Sequence, residues 1–250
     1  DDASRKVVCT LEQDDIMDGL NWLHKWYQDG IINPDANVVT DGGKGSIFGS
    51  AQGWPAAATT WAFNAGIEKY DLTQVFGPLY TTETIQGSMN AISANSKYKT
   101  EALKVLQLMN TDSKFRDMCA YGTEGNYMEY AEDGTVQKLR DDWNWPSYTQ
   151  GTFFILSTQA DGDPDAWNQV KEQNESAVSS TCLGFALDVT NIQNEIANCN
   201  TVWDKYKNDL LTGASDPATA VPACIEELKA AGLDTVIEEA QKQVDEFFAN

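Results

Sequence analysis

The C-terminal region of the chain carries apolar residues at the three- and four-residue spacing of amphipathic helices. One run begins after a capping-box pair, Thr190 and Gln193, and ends at Gly213. Its apolar members are Ile192, Ile196, Cys199, Trp203, Tyr206 and Leu210. A second run follows a predicted cap at Asp234, and its members are Ile237, Ala240, Val244 and Phe247. The spacing predicts that residues 151–250 form a mainly helical region.

The same reasoning predicts helices and strands nearer the N-terminus. Residues 14–29 have helical spacing and stop at Gly30, a helix begins near Thr100, and a shorter one ends at Gly122. Strand candidates lie at 44–50, 84–96 and 152–157. The last of these also suits a short buried helix. With 250 residues, the chain is long enough for one large domain or two small ones.

The chain is strongly acidic. It has 38 Asp and Glu residues against 17 Lys and Arg, a formal net charge of −21. Nucleic-acid binding needs a basic footprint, and the densest basic group, at 97–99, is too small to supply one. The field of the whole protein also disfavours anionic ligands. We therefore expect a neutral ligand and no nucleic-acid partner.

The cysteines and the hydropathy of the chain limit the possible metal sites, disulfides and membrane spans less strictly than the charge limits the ligand. Five cysteines are scattered without a CxxC pair, which argues against a zinc site of the finger type. Free core thiols, or one or two disulfides outside the cell, are both compatible with this pattern. No apolar run approaches the roughly 20 residues that span a bilayer. The polar start, DDASRKVVCT, is unlike a signal peptide and leads us to expect a mature form or a fragment.

The sequence offers little machinery for catalysis. Its one histidine, His24, lies within the predicted helix at 14–29, where a structural role is expected. No nucleophile elbow, Walker loop or metal-ligand spacing is present, so we expect no enzyme, no cofactor and no metal. A glycoside hydrolase that uses two acids stays an open alternative. The acid in the most distinctive setting is Glu124, in YGTEGNY.

The aromatic residues are the stronger functional signal. Trp22, Trp26 and Trp203 fall on helical stripes and are interpreted as core. The stretch GSAQGWPAAATTW, residues 49–61, instead surrounds Trp54 with small residues, and Trp143 and Trp145 also lie in loop-like sequence. A flat ring with amide side chains matches a sugar, whose faces are apolar and whose rim is hydroxylated. Filling of a loop-covered core is the competing interpretation.

Several long stretches resemble the solute-binding proteins of ABC importers, family 1, carbohydrate type. The similarity is greatest to the lipoprotein subgroup that ends in an extra C-terminal helical domain of unassigned function. The matching stretches are residues 22–36, 87–130, 143–154, 183–217 and 228–247. They cover nearly the whole chain, so the resemblance is specific for the family, although not for one sugar.

The resemblance implies a periplasmic-binding-protein-like α/β fold of type II, with two lobes that close on a ligand. Family members are longer, with a signal peptide, a lipid-modified cysteine and most of the first lobe ahead of the matching region. The chain is thus expected to be the C-terminal half, helix-rich, with residues 1–150 forming parts of the lobes. The expected location is the extracellular face of the membrane, where a lipid anchor lies in the missing part and the chain itself is soluble.

The resemblance also implies a function and a site. The expected function is capture of a neutral oligosaccharide or related glycan and its delivery to the permease subunits. In similar proteins, a tryptophan after the strand equivalent to SIFGS stacks on the sugar, and by position this is Trp54. The candidate ligand-binding residues are Gln52, Trp54, Ser88, Asn90, Glu124, Asn144, Trp145, Tyr148 and Gln150. A peptide or other polar solute is the alternative ligand, because a fold does not fix its ligand.

Overall fold

The computed structural model describes residues 3–40, 49–55, 57–58, 61–62, 66–68, 70–140, 142–143, 145, 147 and 149–249. The chain divides into two compact units. The first comprises residues 1–49 and 184–250, and the second comprises residues 50–183. Residue 150, where helical spacing and the family resemblance place a domain boundary, lies inside the second unit, and that boundary stays a prediction. Within the described ranges, every helix is too short or too polar to cross a bilayer.

The described elements are mostly helices. The helices are α1 (Asp14–Gln28), α2 (Thr82–Gln86), α3 (Lys99–Thr111), α4 (Ser113–Tyr121), α5 (Ala166–Glu175), α6 (Gln193–Leu211), α7 (Pro217–Ala230) and α8 (Leu233–Phe248). A short 3₁₀ helix, Thr10–Glu12, precedes α1. The strands are β1 (Leu79–Tyr80), β2 (Met128–Tyr130), β3 (Val136–Lys138) and β4 (Val178–Ser179). The helices predicted at 14–29, from about Thr100 and up to Gly122 correspond to α1, α3 and α4.

The first unit is a bundle of α1, α6, α7 and α8 around one apolar core. Its buried residues are Cys9, Leu11, Leu20, Leu210, Val221, Cys224 and Leu228. The core therefore joins residues from both ends of the chain. Gly213, with a φ of +77°, ends α6 against α1, where an added Cβ would lie 2.2 Å from the Leu23 carbonyl oxygen. Only glycine fits this close approach.

Three details of the first unit differ from the sequence predictions. The Thr190–Gln193 capping box is absent, because Thr190 donates to the Asp188 carboxylate instead and α6 starts at Gln193. Asp234 lies in the first turn of α8, whose N-cap is Gly232. Trp22 and Trp26, interpreted as core, have 57% and 42% of their surface exposed. They lie on the face of α1 opposite the buried Leu20.

The second unit packs α4 under a hairpin and a loop. Asp112 ends α3 and caps α4 by accepting from the Phe115 amide at 2.9 Å. Strands β2 and β3 form an antiparallel hairpin, and β1 pairs in parallel with β4. The core of this unit consists of Tyr121, Met128, Val136 and Leu156, with Phe153 and Trp167 against it.

The strand predictions in the second unit are wrong where they can be compared. The start of 84–96 belongs to α2, because Thr81 and Thr84 form a capping box that initiates a helical turn. Residues 152–157 form turns, although Leu156 is buried. The candidate at 44–50 falls largely outside the described residues. The observed strands have only two or three residues each, too few for alternation to mark them in the sequence.

Candidate functional site

Trp54 is half-buried and contacts Trp61 through a T-shaped ring pair. The ring centroids are 5.9 Å apart and the planes are at 76°. A Cβ on Gly53 would lie 3.3 Å from the Trp61 ring, so the absence of a side chain there makes room for Trp61. The small residue at Gly53 therefore allows the rings of Trp54 and Trp61 to come together. Trp54 is not sealed by its neighbours.

A shallow polar pocket of about 500 Å³, wide open to solvent, has Pro55, the residue after Trp54, in its lining. Pro55, Gly77 and Pro78 supply apolar and main-chain surface, and α5 supplies most of the polar side chains. The polar lining residues are Gln74, Gln169, Glu172, Gln173 and Ser176. Amide, carboxylate and hydroxyl groups beside a proline ring are suited to a small ligand that carries several hydroxyl groups.

A second group of candidate residues is brought together by one hydrogen bond. The Asn90 side-chain amide donates to the Thr149 carbonyl oxygen at 3.4 Å. This joins the segment 88–90 to residues 149–150, where Gln150 is half-buried. Ser88 and Asn90 are exposed, and Met89 between them is 74% exposed.

The two tryptophans near residue 144 have different environments. The Trp143 indole N–H donates to the Cys119 carbonyl oxygen at 3.0 Å, and its ring lies 5.2 Å from that of Tyr127. Trp143 is thus held against α4. Trp145 is 37% exposed, which makes it the outward-facing member of the pair.

Arg116, on α4, supports the loop that contains Trp145. Its side chain is fully buried and donates to the carbonyl oxygens of Ser147 and Thr152, each at 2.9 Å. Burial lowers the pKa of the guanidinium below its usual value. At Gly151, with a φ of +71°, an added Cβ would lie 2.7 Å from the Met109 carbonyl oxygen. The loop therefore lies in close contact with both α3 and Arg116.

Asp117, the next residue along α4, binds the following part of the same chain segment. Its carboxylate accepts from the Ser157 amide at 2.9 Å and from the Ser157 hydroxyl at 2.8 Å. It also accepts from the Tyr130 hydroxyl at 3.0 Å. Burial, together with this hydrogen bond, raises the pKa of Tyr130 to about 12. Asp117 thus ties residue 157 to strand β2.

The remaining candidates are more isolated. Gln52 and Glu124 are exposed, and Glu124 forms an isolated bridge with Met128 in the turn before β2. Asn144 and Tyr148 lie outside the described residues. No hydrogen bond or ring contact among the described residues joins Trp54 to Asn90 or Trp145. The described part of the chain has no group of His, Cys, Asp and Glu residues placed to hold a metal ion.

Sequence reasoning did not identify Arg116 and Asp117. They stand side by side in SKFRDMCAY, and charged neighbours on a short helix are usually solvated. Both are buried here. The five cysteines, for which two states were open, are all free thiols in the structure.

The chain is similar to carbohydrate-transport proteins of Streptococcus pneumoniae. It is 27% identical over 260 residues to a carbohydrate ABC transporter substrate-binding protein, covering 98% of this chain and 52% of that protein. Residues 181–249 match a family model described as Domain of unknown function (DUF3502). That range includes α6, α7 and α8 of the first unit.

Solved structures agree with the sequence comparison. The N-glycan transport solute binding protein (NgtS) matches with a TM-score of 0.85 and 26% identity, over 98% of this chain and 56% of that one. Its complexes with Man1GlcNAc and Man5GlcNAc match with TM-scores of 0.81 and 0.74, also at 26% identity. These matches cover 98% and 100% of this chain, and 57% and 58% of the two complexed chains, respectively.

The chain spans about half the length of these relatives. They are named as binding proteins and not as enzymes. The helix-rich, periplasmic-binding-protein-like fold expected from the resemblance is confirmed by the structural matches. The chain is therefore a homologue of a protein named as a carbohydrate ABC transporter substrate-binding protein, matches NgtS in structure, and corresponds to a C-terminal part of these relatives.

Proposed function

We propose that this chain forms part of a non-enzymatic solute-binding protein that captures a neutral oligosaccharide outside the cell and delivers it to an ABC permease. The observation that carries the proposal is the similarity, over 98% of the chain, to a solute-binding protein whose structures include glycan complexes. The net charge of −21 is consistent with a neutral ligand. A lipid anchor on the extracellular face of the membrane belongs to the same proposal.

The proposed ligand surface has two parts. In the first, the exposed part of Trp54 offers a face for sugar stacking, and the polar pocket that starts at Pro55 offers hydrogen-bonding groups. In the second, Asn90, Trp145 and Gln150 offer an amide, a ring and a further amide. Gln52, Ser88 and Glu124 are exposed side chains in the same unit. Asn144 and Tyr148 are proposed from the sequence alone.

Titration calorimetry with mannose- and N-acetylglucosamine-containing oligosaccharides tests the proposal. A thermal-shift screen that includes a peptide pool separates a glycan from a peptide ligand, and a chromogenic glycoside tests for hydrolysis. We expect saturable glycan binding, no response to peptides and no turnover. The same titration is run on the chain extended by any residues encoded ahead of Asp1. Peptide binding, or glycan turnover, by both forms would overturn the proposal.

A further inference from the structure

Helix α8 holds the chain at the second of the two points where it passes from one unit to the other. The second unit ends at Leu183 and the first resumes at Gly184. We call residues 184–189 the junction segment. Gln243, on α8, accepts from the Asp188 amide at 2.8 Å and donates to the Asp188 carbonyl oxygen at 2.9 Å. One side chain therefore pairs with both main-chain groups of a junction residue, as a neighbouring strand would.

The orientation of the Gln243 amide is fixed from a second side. Its nitrogen also donates to the Glu239 carboxylate at 2.7 Å, one turn earlier on α8. If the Gln243 amide were flipped, its NH₂ group would face the Asp188 N–H, which is also a donor. Its oxygen would face the Asp188 carbonyl oxygen and the Glu239 carboxylate, which are both acceptors. Three hydrogen bonds therefore hold the side chain in one orientation.

Aromatic contacts anchor the start of the junction segment. The Phe185 ring lies 5.8 Å from that of Phe247, in a T-shaped arrangement. Gly184 has a φ of +90°, and a Cβ added there would lie 3.6 Å from the Phe247 ring. The chain thus turns at Gly184 through a conformation that favours glycine and is bound to α8 within the next residue.

A second segment of the first unit is held on α8 in the same manner. Gln241 accepts from the Val7 amide at 2.7 Å and donates to the Arg5 carbonyl oxygen at 3.3 Å. The Arg5 guanidinium carbon lies 3.8 Å from the centre of the Phe248 ring. Gln241 and Gln243 are both half-buried. Two glutamines of one helix therefore bind the main chain of two separate segments, and two phenylalanines of that helix contact side chains of the same segments.

We propose that α8, within the domain of unknown function, restrains the junction segment, so that bending at this one of the two chain crossings is confined to the peptide groups around Leu183 and Gly184. Gln243 and Gln241 are positioning residues in this proposal. They hold main-chain groups and do not touch a ligand. A ligand-binding protein that closes gains from a restrained connection, because less freedom is lost on closure. The restraint needs no ligand, so it can be tested independently of the proposed function.

Hydrogen exchange on the whole 250-residue chain measures the restraint directly. Gln243→Ala removes both bonds to Asp188, and we expect the Asp188 amide to exchange about tenfold faster, the change for one hydrogen bond of about 1.4 kcal/mol. Gln243→Glu keeps the side-chain shape but cannot donate, and it places a carboxylate beside Glu239 and the Asp188 carbonyl oxygen. It keeps an acceptor for the Asp188 amide, so we expect that amide to exchange faster than in the wild type and no faster than in the alanine variant.

The distribution of distances between a label in each unit tests whether losing the restraint increases motion at the junction. Spin labels on p-acetylphenylalanine at Asn198, in α6, and Lys104, in α3, leave the five cysteines untouched; both positions are exposed. We expect a wider distance distribution in Gln243→Ala and in the double variant with Gln241→Ala. Thr235→Ala, at an exposed position in the first turn of the same helix, is the control and should leave the distribution unchanged. Unchanged Asp188 exchange, or faster exchange with an unchanged distribution, would overturn the proposal.

Discussion

Arg116 donates from Nη2 to the carbonyl oxygen of Ser147, and this bond ties a fully buried helix residue to the loop that bears Trp145. Asp117 binds the main chain ten residues further on, at Ser157. Two adjacent charges on α4 thus fix the ends of the segment that leads from the exposed Trp145 to the core residue Leu156. The loop has little regular structure, and its position depends on these side chains.

Arg116→Met should lower the free energy of unfolding by more than about 3 kcal/mol, because it removes two hydrogen bonds from a charged donor. Urea-induced unfolding measures this change. Lys114→Met, an exposed position on the same helix, should stay within about 0.5 kcal/mol of the wild type. Equal effects of the two substitutions would show that the buried hydrogen bonds contribute little.

Tyr130 should make the protein sensitive to alkaline pH. Its pKa is raised to about 12, above the ordinary value of 10.0, so the neutral form is the one that the folded state favours. The stabilisation is fully present below pH 10 and is lost as the pH rises towards 12. Tyr130→Phe should cost about 1.5–3 kcal/mol at pH 7, because the hydrogen bond to the Asp117 carboxylate is lost.

The slope of unfolding free energy against pH distinguishes the titration of Tyr130 from a general loss of stability at alkaline pH. Between pH 10 and 12, the stability of Tyr130→Phe should fall less steeply than that of the wild type. Denaturant midpoints at several pH values measure both slopes. Parallel slopes would contradict the assignment, and Tyr98→Phe, at an exposed site, serves as the control.

Trp54→Ala should weaken glycan binding by about 1–3 kcal/mol, the scale of an aromatic anchor. Loss of its T-shaped contact with Trp61 should cost only about 0.5–1.5 kcal/mol of stability. Calorimetry and thermal melting measure the two effects. Trp203→Ala, at a partly buried residue that packs against the core of the first unit, is the contrasting variant: we expect a loss of stability and unchanged affinity in the folded fraction. A large stability loss with normal affinity in Trp54→Ala would favour a purely structural role for this residue.

Gly213→Ala should destabilise the first unit by more than about 3 kcal/mol, since it adds a clash with the Leu23 carbonyl oxygen to a left-handed backbone. Gly19→Ala provides the matched comparison. Gly19 lies within α1 with nothing within 4 Å of an added Cβ, so alanine there should stabilise by about 0.5–1 kcal/mol. Chemical denaturation of both variants tests the pair, and a tolerated Gly213→Ala would contradict the close approach of α6 to α1.

The sequence predicted the helices well because their signal is local and repeated. In α1 the apolar spacing marks Ile16, Leu20 and Leu23, and all three face the core of the first unit. Trp22 and Trp26 are also four residues apart, and they form a second stripe on the face opposite Leu20. Helical spacing alone does not show which of two such stripes is buried. The strands escaped prediction because pairing across the chain, and not local alternation, defines β1 with β4.

The sequence predicted groups of candidate residues that are neighbours along the chain, but not the contacts between those groups. Small residues around Trp54 indicated unfilled space, yet the sequence could not show that Trp61 occupies part of it. The contact of Asn90 with Thr149 joins positions 59 residues apart, and no local pattern encodes it. Arg116 is recognisable only by its burial, which depends on the fold of the loop above it.

The composition of the first unit from two stretches of chain has a consequence for the order of folding. Residues 50–183 are continuous, so the second unit has all its residues once that stretch has been synthesised. The core of the first unit needs Leu20 to meet Leu210 and Leu228, and the intervening chain must be closed into a long loop first. Helices α6 to α8 are synthesised after the whole of the second unit. The apolar face of α1, with Ile16, Leu20 and Leu23, therefore stays uncovered until they follow, and in that interval it is exposed to aggregation.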